Sequence, residues 1–290
     1  MQNRRDFLKR ASLLMASGLV APRLLSSCSA GSEKRIGLQL YSLRELVKEE
    51  GIQKTLEVAA EMGYKHLETA GYDKGKIYGL KPAEFKKIVN DLGMKCTSAH
   101  LGQAFTKETE NKVMAWWDEA IEAHNELGVK YMVQPWMSVT DKTTLDDIKM
   151  YCDYFNTVGY KTAAASIAFG YHNHDFEFRK IDGQTIYDYM LDNVSPNHVF
   201  FQMDVYWVMQ GKHDPVKYLK ERPDQFKTIH IKDAKEIGAS GDIDFKPIFD
   251  QMYANNVADW YVEVERYTNN NPVESVKQSF DFLDKADFVK

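Results

Sequence analysis

The sequence predicts an α/β fold, a single-domain (β/α)8 barrel. Three observations carry this: short apolar or alternating runs recur eight times, helical patterns lie between them, and glycines punctuate the helix-to-strand turns. The runs are "RIGLQLYS", "YKHLETA", "KCTSAHLG", "VKYMVQPW", "SIAFGYHNH", "HVFFQMDVYW", "FKTIHIKDA" and "WYVEVERY", beginning near residues 35, 64, 95, 129, 166, 198, 226 and 260. Their spacing of 28 to 37 residues is what one strand, one helix and two short turns require of a TIM barrel. A doubly wound open sheet is the competing arrangement. It usually opens on a glycine-rich first turn, and "YSLRE" has none.

The helical patterns include "GIQKTLEVAAEMG", "KPAEFKKIVNDLG", "NKVMAWWDEAIEAHNELG" and "TLDDIKMYCDYFNTVG". Three of them end in Met-Gly or Leu-Gly, a glycine C-cap ahead of a tight turn into the next strand. Trp116 and Trp117 fall inside a helical pattern and read as packing residues.

In such a barrel the chemistry gathers at the carboxyl ends of the strands. Alternate strand residues share a face, so the polar phase of each run can be followed in order. It collects Gln39 and Tyr41, His66 and Glu68, Ser98 and His100, and Gln134 and Trp136 from the first four runs. The last four add His172 and His174, Gln202 and Asp204, His230 and Lys232, and Glu263 and Glu265. A buried polar group left unsatisfied costs about 1 to 3 kcal/mol, so eight strands ending this way imply a site rather than a structural accident.

Acid and imidazole groups without thiolates suit a divalent Mn, Mg, Co or Zn ion, with Mn favoured here by the oxygen-rich set. Asp204, His230 and Glu265 lie at the ends of neighbouring strands. The fifth run offers a fourth ligand in "YHNHDFEF", either Glu177 or one of the histidines. Glu177 lies on the opposite face from His172 and His174 unless the strand breaks or bulges near Asp175.

The first 28 residues, "MQNRRDFLKRASLLMASGLVAPRLLSSC", have a basic start and an apolar stretch shorter than the roughly 20 residues of a membrane span. "NRRDFLK" resembles the twin-arginine export motif and "LSSC" resembles the lipobox of bacterial lipoproteins, with an ordinary cleaved signal as the alternative. The resemblance implies an exported, periplasmic protein joined to the membrane only through lipid on Cys28, and a barrel over residues 34–290. Loss of this segment removes Arg4, Arg5, Lys9, Arg10, Arg23 and Asp6, taking the formal charge from -5 to about -9. So acidic a chain repels nucleic acid. Only Cys96 and Cys152 follow Cys28, which excludes a disulfide framework and a cysteine zinc site; a single bridge between them stays open.

Over about Lys34 to Leu283, the motifs "GLQLYSLRE", "GYHNHDFEF", "MDVYWVMQGKHDP", "HIKD" and "YVEVERYTNNNPVESVKQSFDFL" resemble the sugar phosphate isomerase/epimerase superfamily, the xylose isomerase-like barrels. The resemblance implies a metal quartet of Glu177, Asp204, His230 and Glu265. Two departures bear on the reaction. Trp207 stands where many members have a histidine, and His172 stands where several have a glutamate.

The chemistry implied is proton abstraction next to a carbonyl, through an enediolate that a divalent ion stabilises. An imidazole suits the base, with His174 first and His100 second. His172, Lys232, Trp207, Trp136 and Glu68 are the expected substrate contacts, the tryptophans as stacking faces for a carbohydrate or keto-sugar. Reprotonation gives an isomerase or epimerase. Expulsion of a β group gives a lyase, which the "HNH" motif favours through its resemblance to enzymes that cleave 3-keto-glycosides. A non-catalytic sugar-binding lipoprotein is the third reading. No nucleophile elbow, H-E-x-x-H helix, dinucleotide fingerprint or EF-hand loop occurs, and nothing in the sequence bears on oligomeric state.

Overall fold

The computed structural model describes residues 34–290. The export segment and Cys28 lie outside the described residues. Eight strands form the barrel: β1 (Gly37–Gln39), β2 (His66–Thr69), β3 (Lys95–His100), β4 (Tyr131–Gln134), β5 (Ala168–His172), β6 (Val199–Asp204), β7 (Phe226–Lys232) and β8 (Asp259–Glu263). Each pairs in parallel with its sequence neighbours, and β1 closes the ring against β8 with Gly37 opposite Tyr261. A Cβ at Gly37 would lie 2.3 Å from the Trp260 carbonyl oxygen, so this close seam requires glycine.

Helices α1 (Arg44–Met62), α2 (Pro82–Asp91), α3 (Glu110–Leu127), α4 (Leu145–Ala164), α5 (Ile186–Asn193), α6 (Val205–Gln210), α7 (Pro215–Glu221), α8 (Phe245–Ala254) and α9 (Pro272–Lys285) connect the strands. Their starts follow local chemistry. Thr144 and Asp147 form a reciprocal capping box on α4, and Asn271 caps α9 ahead of Pro272. Gly63 ends α1 with a φ of 107°, as the Met-Gly pattern predicts. The same helix begins seven residues earlier than its periodic pattern, at Arg44, because Gly51 (φ 83°) kinks the helical course without ending it.

The apolar core lies between strands and helices. Trp117 of α3 and Phe155 of α4 pack against Phe169 of β5 at ring separations of 5.4 and 5.9 Å. The opposite, polar phase of the strands faces the barrel axis. Cys96 and Cys152 are free thiols, which closes the possibility of a bridge. Among the described residues, no helix is long and apolar enough to cross a membrane.

Candidate active site

The barrel axis is filled by a hydrogen-bonded layer centred on Glu68 of β2, which is fully buried. Its Oε1 accepts from Gln39 Nε2 at 2.7 Å and His230 Nε2 at 2.6 Å, with His100 Nε2 at 3.1 Å. Its Oε2 accepts from Ser98 Oγ at 2.5 Å and Gln202 Nε2 at 2.8 Å. Burial pushes this carboxyl up, but the His100 and His230 imidazoles and the bonds from His230 and Ser98 prevail and hold it at about 2.

Above this layer, His172, Asp204, His230 and Glu263 each offer a ligand atom, all within 4.8 Å of one another. Neighbouring strand ends supply them: β5, β6, β7 and β8. His230 Nδ1 lies 3.2 Å from Glu263 Oε2, and His172 Nε2 lies 3.9 Å from Asp204 Oδ2. Burial works to neutralise His230, yet Glu68 and Glu263 outweigh it and raise its pKa to about 10. Burial raises Asp204 to about 7 against the pull of Lys232. Asp204 Oδ1 caps α6 by accepting from the Trp207 N–H at 3.0 Å, whereas its buried Oδ2 has no hydrogen-bond partner.

The Lys232 ammonium stands beside this group, 3.0 Å from Glu263 Oε2, 2.9 Å from Glu265 Oε2 and 3.7 Å from Asp204 Oδ2. Three carboxylates thus face one ammonium. With two imidazoles, two carboxylates and an Asp204 oxygen that accepts no hydrogen bond, the donor set fits a divalent ion. His100, His172 and His230 form a second, all-imidazole group of the same dimension, but it offers no carboxylate.

A cavity of about 390 Å³ opens over these residues, with His100, His172, His174 and Glu263 inside and Tyr41 and Trp136 on its walls. Trp136 is 40% exposed, which leaves a ring face free for a sugar. Burial holds His174 neutral, with its pKa lowered to about 4, and burial likewise lowers His100. Both imidazoles are therefore unprotonated near neutral pH, each with a ring nitrogen whose lone pair is free to accept.

The turn after β5 decides the fate of Glu177. The strand ends at His172, Asp175 takes a helical conformation, and Phe176–Phe178 form a 3-10 turn. Glu177 folds under that turn, accepting from the Tyr171 hydroxyl at 2.5 Å and the His174 backbone N–H at 2.8 Å. Tyr171 packs on Phe155 of α4, so this carboxyl lies on the helix-facing side of β5. Burial raises its pKa to about 8. Asn173 occupies the gap left by the strand: its Oδ1 accepts from the Asp204 N–H at 3.1 Å, and its Nδ2 points to the Asp204 carbonyl at 3.4 Å.

Of the four expected ligands, the fold brings Asp204 and His230 together, while Glu177 and Glu265 fall outside that group. Glu177 is turned away with its oxygens already engaged, and His172 stands in its place. Glu265 lies past the end of β8 on the cavity wall, paired with Lys232, whereas Glu263 is in register with Lys232 and joins the group. Among the expected substrate contacts, Glu68 lies below the site with protein donors on both oxygens. Lys232 is buried among carboxylates, with half-buried Trp207 5.0 Å beneath its ammonium. Trp136, His174 and His100 line the cavity. Gln202 received no role from the sequence, although its alternation with Asp204 placed it on the inner face.

The family model described as xylose isomerase-like TIM barrel matches residues 56–286. A sugar phosphate isomerase/epimerase from Parabacteroides distasonis ATCC 8503 is 39% identical, with a TM-score of 0.84 over 89% of this chain and 100% of that one. A second from the same organism is 34% identical, with a TM-score of 0.83 over 90% and 99%. A 3-keto-D-glucoside 4-epimerase from E. coli shares the fold at 22% identity, with a TM-score of 0.69 over 87% and 100%. No curated protein matches the chain significantly. From the closed barrel, the family match and these two relatives, the chain belongs to the xylose isomerase-like TIM-barrel family, among its sugar isomerases and epimerases.

Proposed function

We propose that the protein is a divalent-metal-dependent isomerase or epimerase of a keto-sugar, working by proton abstraction next to a carbonyl. The observation that carries this reading is the juxtaposition of the His172, Asp204, His230 and Glu263 group with two neutral histidines, His174 and His100, in one cavity. His172, Asp204, His230 and Glu263 would hold a divalent ion, which would supply Lewis acidity toward a carbonyl oxygen and its neighbouring hydroxyl and so acidify the hydrogen between them. His174 takes up that proton, with His100 across the cavity as the alternative base. Return of the proton to carbon from the same or the other imidazole gives the isomer or epimer. Trp136 and Tyr41 would hold the sugar from the walls.

The resemblance of residues 1–28 to an export signal with a lipobox supports an activity outside the cytoplasm, on a lipid anchor at Cys28, where glycans and oxidised glycosides are more accessible than sugar phosphates. A 3-keto-glucoside is therefore the first probe. The Mn-loaded protein would be incubated with it in D2O and followed by proton NMR. Exchange of the hydrogen next to the ketone, or an epimer, is the expected result. Aglycone release would move the reading to β-elimination by a lyase. No change with this probe or with free ketoses would overturn the enzymatic reading in favour of sugar binding.

A further inference from the structure

In the layer under the site one amide, that of Gln202, links Glu68, His100 and His172. Donors ring both oxygens of Glu68, Gln39 Nε2 and His230 Nε2 on Oε1 and Ser98 Oγ on Oε2, so its Oε2 faces the neighbouring amide as an acceptor. The end of the Gln202 amide lying 2.8 Å from Glu68 Oε2 must therefore be its NH2 group. This fixes the amide the other way round at its far end, where Oε1 lies 2.5 Å from His100 Nε2 and 3.1 Å from His172 Nδ1. A carbonyl oxygen also only accepts, so both of those ring nitrogens must carry hydrogen.

We infer that Gln202 is a positioning residue that holds His100 and His172 in opposite neutral tautomers, Nε2–H in His100 and Nδ1–H in His172. The lone pair of His172 is then at Nε2, the nitrogen facing Asp204 Oδ2. The lone pair of His100 is then at Nδ1, on a ring that lines the cavity. One amide thus prepares one imidazole to hold a cation and another to accept a proton. The functional meaning rests on the proposed reading, but the tautomers themselves do not.

The test uses metal-free protein labelled with 15N in its histidines, read by long-range 1H–15N correlation at neutral pH and assigned with His100→Gln and His172→Gln. The expected spectrum shows His172 with hydrogen on Nδ1, the less common form of a neutral imidazole in water, and His100 with hydrogen on Nε2. In Gln202→Met, His172 should lose the Nδ1–H signature, and Mn2+ affinity, read by competition with a fluorescent chelator, should fall about ten- to a hundredfold. Gln202→Glu, whose protonated carboxyl can both donate to Glu68 and accept from the imidazoles, should restore the signature. Should Gln202→Met fail to fold, the wild-type spectrum decides alone. Hydrogen on Nε2 of His172 in the wild type, or unchanged signatures in Gln202→Met, would overturn the inference. Opposite tautomers in a wild type that binds no Mn2+ would support it while removing the metal-dependent function.

Discussion

The Tyr171 hydroxyl donates to Glu177 Oε1 at 2.5 Å, and this bond holds the carboxyl on the helix-facing side of β5. The position of Glu177 separates two possible ligand sets. In one, Glu177 and Glu265 complete the metal site; in the other, His172 and Glu263 do. Glu263→Gln is expected to weaken Mn2+ binding by at least about tenfold, as loss of a group more central than a metal's outer partners should. Glu177→Gln should leave that affinity unchanged. Titration of both variants against a fluorescent chelator checks the pair, and the reverse pattern would restore Glu177 as the ligand.

Asn173 should matter more for stability than its small size suggests. Its side chain takes the place of a strand partner for Asp204, accepting from the buried N–H at 3.1 Å. Asn173→Ala leaves that donor unsatisfied and should cost about 1 to 3 kcal/mol in urea denaturation. Asn173→Asp keeps an acceptor for it and should cost less.

His124 of α3 lies outside the site and gives the fold an acid-sensitive element. Burial lowers its pKa to about 4, against the bond between Nδ1 and the Ala120 carbonyl, and its Nε2 has no partner. An unfolded histidine titrates near 6.5, so between pH 6.5 and 4 the unfolded chain takes up a proton that the folded chain refuses. Stability from this group is complete above about 6.5 and is lost as pH falls towards 4, by about 3 kcal/mol. His124→Leu should lose less stability than the wild type over that interval. Parallel stability curves for the two proteins would contradict the assignment.

Attachment to the membrane can be tested independently of the barrel. Cys28 lies outside the described residues, and its role rests on the lipobox resemblance. Stable anchoring needs more than one acyl chain, which lipoprotein processing at such a cysteine provides. The full-length protein should partition with membranes after cell lysis, and Cys28→Ala should release it. Release of both proteins would indicate an ordinary cleaved signal.

Much of the architecture was legible because a (β/α)8 barrel repeats one local pattern: eight runs at regular spacing fixed the strand order, and alternation placed Glu68, Gln202, Asp204 and His230 on one inner face. The ends of β5 and β8 were harder. Alternation says which face a residue takes but not how far the strand continues, and β5 stops at His172 where a 3-10 turn carries Glu177 to the other side. At β8, both Glu263 and Glu265 satisfy the pattern, and only the register against Lys232 separates them. The role of Gln202 was illegible for another reason. It depends on contacts to Glu68, His100 and His172, which come from three other strands.

The central claim is that His172, Asp204, His230 and Glu263 together hold one divalent ion. Crystals of the Mn-loaded protein, measured on both sides of the Mn absorption edge, test it most directly. The account predicts a single anomalous peak bonded to His172 Nε2, Asp204 Oδ2, His230 Nδ1 and Glu263 Oε2. A peak on Glu177 or Glu265, or none in the barrel, would contradict it.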